Sequence, residues 1–507
     1  MKKIFNYSLL LSAILLSTSC DKGLADLNRN TTNPTAIDPV FQLNSAIVNT
    51  SFPAATLVYD MGIVQQIVTP NSGVLTGANY NQDNRDNTQV LWQQYYRNVI
   101  RNTRDVIIRT KGNADRANLM NMARIVQSFA FMTLTDTYGD IPYAEGGLGY
   151  SEQLFLPKYD AQQEIYPKLI TELTEATNAL SATSKTEAGE VLFGGNIAQW
   201  KKFGYSILLR AGMRLSKIDA AKAQATVQAA FAGGVILSNG DNAFMRHTND
   251  YTNPIGGTLN STEAANLYLT EAFVNFLKNT NDPRLSSIAI RYVGAKSGPD
   301  QQPAVGTTDP TKQVGMPMGY DNGNIGPIAT GKGLASFYEF SQVDRRRMAK
   351  VTAPAFFVTA SQTQLLLAEA RTKGWITTGT ASGYYLAGIK AHMEQLALYD
   401  AAATVSAPAI QTFIDANPLD DAKAVEQINT QYWVSSFLNG PEAWANFRRT
   451  GFPALTPNPY PGKSITGQFI RRLTYPNSEI SVNSINIKAA IAKQGADNLD
   501  TRVWWDK

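Results

Sequence analysis

The stretch that decides the fold is TQVLWQQYYRNVIRNTRDVIIRT (88–110), followed after Lys111-Gly112-Asn113 by ADRANLMNMARIVQSFAFMTLTDTY (114–138). Trp92, Tyr95, Val99, Thr103 and Val106 recur at three- and four-residue steps in the first segment. Leu119, Met122, Val126, Phe129 and Ala130 do so in the second. That spacing places each set on one face of a helix. The Gly-Asn break between them predicts an αα-hairpin with a short turn. A second pair follows the same plan. Ile165, Leu169, Leu173, Ala176 and Leu180 form one stripe, opened by Asp160 and Gln163 in a capping-box spacing. Asn196 with Gln199 opens the partner, whose stripe is Trp200, Phe203, Ile207, Ala211 and Leu215. Further helices are predicted at about 219–232, 262–279, 359–373, 380–399 and 420–439. The expectation is an all-α fold of tetratricopeptide-type helix pairs, without a clean 34-residue repeat.

Between about 233 and 358 the pattern breaks into Gly, Pro, Asn and Thr, as in YTNPIGGTLN and GMPMGYDNGNIGP. Residues 69–87 are similar. Long irregular insertions on a rigid helical body are where binding residues concentrate.

Composition removes many chemistries. The 507 residues carry 45 Lys+Arg against 41 Asp+Glu, so bulk charge gives no sign of a nucleic-acid-binding stripe. One Cys excludes a disulfide framework and a multi-cysteine zinc site within the chain. His247 and His392 are the only imidazoles and read as structural positions. No metal site and no cofactor is expected. Asp83, Asp86 and Asp321 lie in or beside loops where carboxylates can meet Ca²⁺, but no calcium motif frames them. Gly326 to Gly333 approaches a phosphate-binding loop, yet Gly333 stands where the Mg²⁺-holding hydroxyl belongs, and a surface loop is expected instead. Two carboxyl groups suffice for glycoside hydrolysis, so a surface glycan hydrolase stays as a rival of another class.

The single cysteine has a telling position. Lys2 and Lys3, the apolar run Leu9–Leu16 and the small residues 17–19 read as a signal peptide ending before Cys20. The run is too short to span a bilayer. Cleavage there and acylation of Cys20 describe a bacterial lipoprotein, with residues 20–40 as a polar tether and 41–507 as the folded body. Two or more acyl chains make such an anchor stable.

Tyrosines in polar, glycine-rich loops are the candidate ligand contacts. Tyr80 stands beside Asn79 and Asp83, Tyr251 near Asn249, and Tyr320 beside Asp321. An aromatic face covers the C–H face of a sugar while amides and carboxylates bond its hydroxyls. Trp92, Trp200, Trp433 and Trp444, at helical spacing, read as core instead.

TDTYGDIPY (135–143) resembles the G-D-I-P-Y signature of the SusD/RagB-like nutrient-binding lipoproteins of Bacteroidetes. The resemblance continues through PKYDAQQEIYPKLITEL (157–173), FGGNIAQWKKFGYSILLRAGMRLS (193–216), NDPRL (281–285) and LLLAEARTKGW (365–375). It extends through YYLAGIKAHM (384–393), INTQYWVSSFLNGPEAWANFRRTGFPAL (428–455) and RRLTYPNSE (471–479). It implies a SusD-like helical fold, a surface-exposed lipid-anchored position on the outer membrane and no catalysis. It implies as partner a SusC-like TonB-dependent transporter, and as ligand an oligosaccharide or, in one branch, a peptide. A lid without nutrient affinity of its own is a further alternative. The shared blocks also have plain physical roles: Gly139 as a helix C-cap, Pro142 as a stop, Arg448 and Arg449 at a helix C-terminus.

Overall fold

The computed structural model describes residues 37–71, 76–261 and 263–507. The expected signal peptide, Cys20 and the tether to residue 36 lie outside the described residues. The first described helix is Pro39–Asn49.

Both helix pairs form. Arg85–Gln94 runs through one π-helical stretch, Tyr95–Ile100, into Arg101–Thr110 and packs against the Ala117–Tyr138 helix. The latter packs on Gln162–Ala179, which packs on Ile197–Arg214, and Ala220–Gly233 follows. The stack resumes with Ala360–Thr372 against Ala381–Gln395, then Ala424–Ser435 and Gly440–Thr450. The fold is all-α, as the periodicity predicts, with strand confined to short pieces. Local chemistry sets the helix ends. Asn196 Oδ1 accepts the Gln199 N–H at 3.2 Å, and Thr359 with Gln362 forms a complete capping box. Gly139 (φ +81°) and Gly451 (φ +83°) end their helices in the positive-φ region that favours glycine.

Three expectations need correction. Asp160 does not cap the Gln162–Ala179 helix: its Oδ2 accepts the N–H groups of Tyr143 and Ala144, while Asp140 Oδ1 takes the Gln162 N–H at 2.9 Å. The helix expected over 262–279 begins only at Glu271, because Tyr268 and Leu269 pair as a strand with Ile67 and Val68 and Thr270 caps the helix that follows. Residues 325–331 are a short helix, not a loop. The region 233–358 is also more ordered than its composition suggests. It holds a three-stranded sheet (Gly306–Thr307, Ala289–Tyr292, Gln342–Val343) and the Glu271–Asn279 helix.

Pro39–Lys507 is one compact unit with one main apolar core. Trp92, Trp200, Trp433 and Trp444 are all buried, as their spacing predicts. A polar network runs through the same core. Asp136 accepts from the Tyr166 hydroxyl, from Trp505 Nε1 at 2.8 Å and from Arg214 Nε at 3.0 Å. Arg214 reaches on to Glu442 at 2.6 Å, which also takes the Tyr432 hydroxyl at 2.7 Å. Arg448 donates to the Asp136 carbonyl and lies over the Trp444 ring, 3.8 Å from its centroid. Arg449 pairs with Glu369 through two bonds of 2.8 and 2.7 Å. Burial raises the Glu369 carboxyl, but the guanidinium of Arg449, Lys373 and the Asn429 amide together outweigh it and hold the group at about 2. Thus Arg448 and Arg449 do more than complement a helix end: they join distant helices through buried charge.

Candidate functional site

The site grows from the end of the Gly440–Thr450 helix. Gly451 turns the chain, the Phe452–Pro453 peptide is cis, and PALTPNPYPG (453–462) follows as an extended loop. Pro453, Pro457, Pro459 and Pro461 lack N–H groups, so this loop cannot join a ladder or helix and depends on side chains for its position. They come from far away in sequence. Gln65 Nε2 donates to the Thr456 carbonyl at 2.6 Å. Asn458 Nδ2 donates to the carbonyls of Ala78 and Asn79 at 2.9 and 2.7 Å. Gln82 Nε2 holds Gly462 at 2.9 Å, and Ser464 bonds the Asn81 carbonyl.

Opposite stands the Glu271–Asn279 helix, whose cap Thr270 is locked to segment 65–66: its N–H bonds the Gln66 carbonyl and its hydroxyl the Gln65 carbonyl. The Glu271 N–H bonds the Met316 carbonyl at 2.8 Å, which brings residues 317–320 alongside. Gly319 (φ +82°) has no room for a side chain, since a Cβ there would meet Asn458 Oδ1 at 2.7 Å. Trp433 closes the floor. Its indole N–H donates to the Val64 carbonyl at 2.8 Å, and Phe273 and Phe276 meet its ring edge-on, with centroids 5.1 and 5.9 Å away.

Between these walls lies a cleft of about 610 Å³. Phe276, Met318, Tyr320, Trp433, Leu455 and the prolines 317, 453, 457 and 459 give it apolar surface. Gln65, Glu271, Asn275 and Thr456 supply the polar side chains. The volume is that of a small-molecule site, with apolar walls and few polar groups.

The structure treats the sequence-predicted residues unequally. Tyr320 lines the cleft, half-buried. Asn79 lies directly behind it: its amide donates to the Tyr320 carbonyl at 2.8 Å and its Oδ1 accepts the Gly319 N–H at 2.9 Å. Asn79 therefore positions the loop and is itself buried. Tyr80 is 1% exposed, its ring packed 4.6 Å from that of Tyr460 and its hydroxyl bonded to the Pro70 carbonyl at 2.5 Å. It supports the site and offers no face to a ligand, because residues 458–464 cover the turn it stands on. Asp321 caps its own turn through the Gly323 N–H. Asp83 is held by Arg85 at 3.1 Å and by the Thr474 hydroxyl at 2.6 Å. Tyr251 is 64% exposed and is not part of the cleft wall; its carbonyl faces His247, which also bonds Ser51. No group of three or more potential metal-ligating side chains comes together among the described residues.

Sequence reasoning missed Gln65, Glu271, Asn275, Phe276, Met318 and Leu455. One signal was available, the proline density at 453–461.

This architecture defines a class: an all-α scaffold of packed helix pairs that carries a loop-built cleft. The chain belongs to the SusD-like family described as starch-binding, associating with the outer membrane, whose family model matches residues 31–476. A solved chitin-binding protein is 29% identical with a TM-score of 0.81, over 93% of this chain and 100% of that one. A chitin-binding SusD homologue from Flavobacterium johnsoniae is 23% identical with a TM-score of 0.76, over 92% and 98% of the two chains. A SusD homologue from Bacteroides uniformis is 22% identical with a TM-score of 0.72, over 92% and 99%. At these last two identities the likeness speaks for the fold. No curated protein matches the chain.

Proposed function

We infer that this protein binds an oligosaccharide at the cell surface, in the cleft between residues 271–276, 317–320 and 453–459, and delivers it to a SusC-like TonB-dependent transporter. The observation that carries the reading is the cleft itself: tyrosine, phenylalanine and proline surfaces facing a few polar side chains, in a family described as starch-binding. Flat apolar surface suits the C–H faces of sugar rings. Acylation at Cys20 would hold the protein on the outer membrane, close to its transporter.

The peptide alternative finds less support. Pro453, Pro457 and Pro459 supply no N–H groups for the main-chain pairing that reads an extended peptide. A glycan hydrolase needs two carboxyl groups about 5–9.5 Å apart across the bond it cuts. Glu271 is the one carboxylate among the described residues lining the cleft.

Calorimetric titration with starch- and chitin-derived oligosaccharides tests the reading. Tyr320→Ala should weaken binding by about fivefold or more, the worth of one aromatic contact, with thermal stability kept. Binding untouched by Tyr320→Ala and Phe276→Ala would move the site elsewhere. Copurification of a transporter with the wild type, lost with the lipidation variant Cys20→Ala only in its membrane fraction, tests anchor and partner together.

A further inference from the structure

The charge in the cleft is one-sided. Four of its lining residues are prolines and bring no N–H. The Trp433 indole is committed to Val64, the Gln65 amide to Thr456 and the Glu271 N–H to Met316, which leaves the Asn275 amide and the Tyr320 and Thr456 hydroxyls as neutral donors. Among the described residues, no lining side chain brings a positive charge to set against the Glu271 carboxylate. Glu271 is the only charged side chain among the described residues of the lining, and it stands in the first turn of its helix, where the dipole favours negative charge. Its one ion-pair partner is internal: Lys332, just past the Ile325–Gly331 helix, reaches across to Glu271 Oε1. An ammonium group of the protein thus already marks the place where a cation is satisfied. The Tyr320 and Phe276 rings offer faces that attract cations as well as sugar C–H groups.

We propose that this cleft selects glycans by charge: it favours oligosaccharides with free, protonated amino groups, such as glucosamine oligomers, and disfavours acidic ones such as galacturonate oligomers, with Glu271 as the determinant and Lys332 as its displaceable counter-ion. The inference rests on the reading of the cleft as the glycan site. A ligand ammonium would take the position of the Lys332 ammonium at Glu271, while neutral hydroxyls donate to the proline-loop carbonyls. A carboxylate in the same place would meet the like charge of Glu271, and could reach the Lys332 ammonium only by breaking the pair already formed.

The test is calorimetric titration of the intact protein at mildly acidic pH and low salt, with glucosamine, N-acetylglucosamine and galacturonate oligomers of equal length. Glucosamine oligomers should bind about threefold to fivefold more tightly than the N-acetylated ones, the worth of one partly exposed ion pair. Galacturonate oligomers should bind more weakly than both, and added salt should shrink the differences. Glu271→Gln should abolish the ranking by charge, bringing the glucosamine and N-acetylated oligomers to about the same affinity. Lys332→Met should strengthen glucosamine binding by freeing the carboxylate. Tyr320-dependent binding with no ranking by charge, or a ranking that survives Glu271→Gln, overturns the proposal and leaves the glycan site standing. Failure of all three oligomers to bind overturns the site reading, and the proposal falls with it.

Discussion

Replacing Asp60 by Asn should stabilise this protein at neutral pH and change nothing in mild acid. Asp60 opens a single helical turn, Asp60–Ile63, pressed against the start of the Gly440–Thr450 helix, where a Cβ on Gly440 would meet its own Cβ at 2.8 Å. It is 2% exposed and its Oδ1 has no hydrogen-bond partner. The nearby Tyr95 and Tyr138 give their hydroxyls to the carbonyls of Thr50 and Thr88 instead. Burial pushes the carboxyl up to about 7, against the smaller pull of its own backbone N–H and of Arg448. The unfolded chain releases this proton near pH 3.8. Between that pH and about 7 the folded state binds more protons than the unfolded one, so stability falls as pH rises. Roughly three pH units at 1.36 kcal/mol each give a penalty of about 4 kcal/mol, constant above pH 7. Asn has the same shape and no charge to bury. For a body of this length the entropy of unfolding is about 1 kcal/mol/K, so Asp60→Asn should melt about 4 °C higher at pH 8 and at the wild-type temperature near pH 4. Scanning calorimetry across that range decides it. An equal gain at both pH values would assign the effect to a new amide hydrogen bond, and no gain at pH 8 would refute the buried-charge argument.

Glu369→Gln leaves Arg449 buried without its counter-charge and should cost about 3–5 kcal/mol in chemical denaturation. Its carboxyl lies at about 2 in the fold against 4.5 in the unfolded chain, so its stabilisation is complete above about pH 4.5 and fades as pH falls toward 2. That part of the acid slope should vanish in the variant. Asn458→Ala removes two bonds to the 78–79 carbonyls and should speed hydrogen exchange at the backbone amides of 454–456, while oligosaccharide affinity drops. Trp433→Ala should cost about 3–5 kcal/mol and abolish binding, since the same ring packs against Phe273 and floors the cleft; retained binding in a destabilised variant would separate the two roles.

What the sequence made legible follows from the range over which each feature is encoded. The stripes Trp92–Val106 and Leu119–Ala130 declare helices because three- and four-residue spacing is local, and Asn196, Gly139 and Gly451 mark ends through their own side chain or its absence. The cleft has no such local code. Gln65, Glu271, Tyr320 and Thr456 meet only because Thr270 binds segment 65–66 and Asn458 binds 78–79, contacts that span hundreds of residues. Tyr80 was legible as an aromatic in a polar loop, but not as a buried one, since what covers it lies at 458–464. The same contrast explains why family membership was plain and ligand was not. TDTYGD and FRRTG hold Asp136 and Arg449, whose buried charges are paired, and Arg448, whose guanidinium bonds the Asp136 carbonyl, and these contacts join the helices. That constraint is indifferent to what the cleft holds. On the proposed reading ligand choice falls instead to Glu271, Tyr320 and the proline loop, whose backbone Gln65, Asn79 and Asn458 hold from behind.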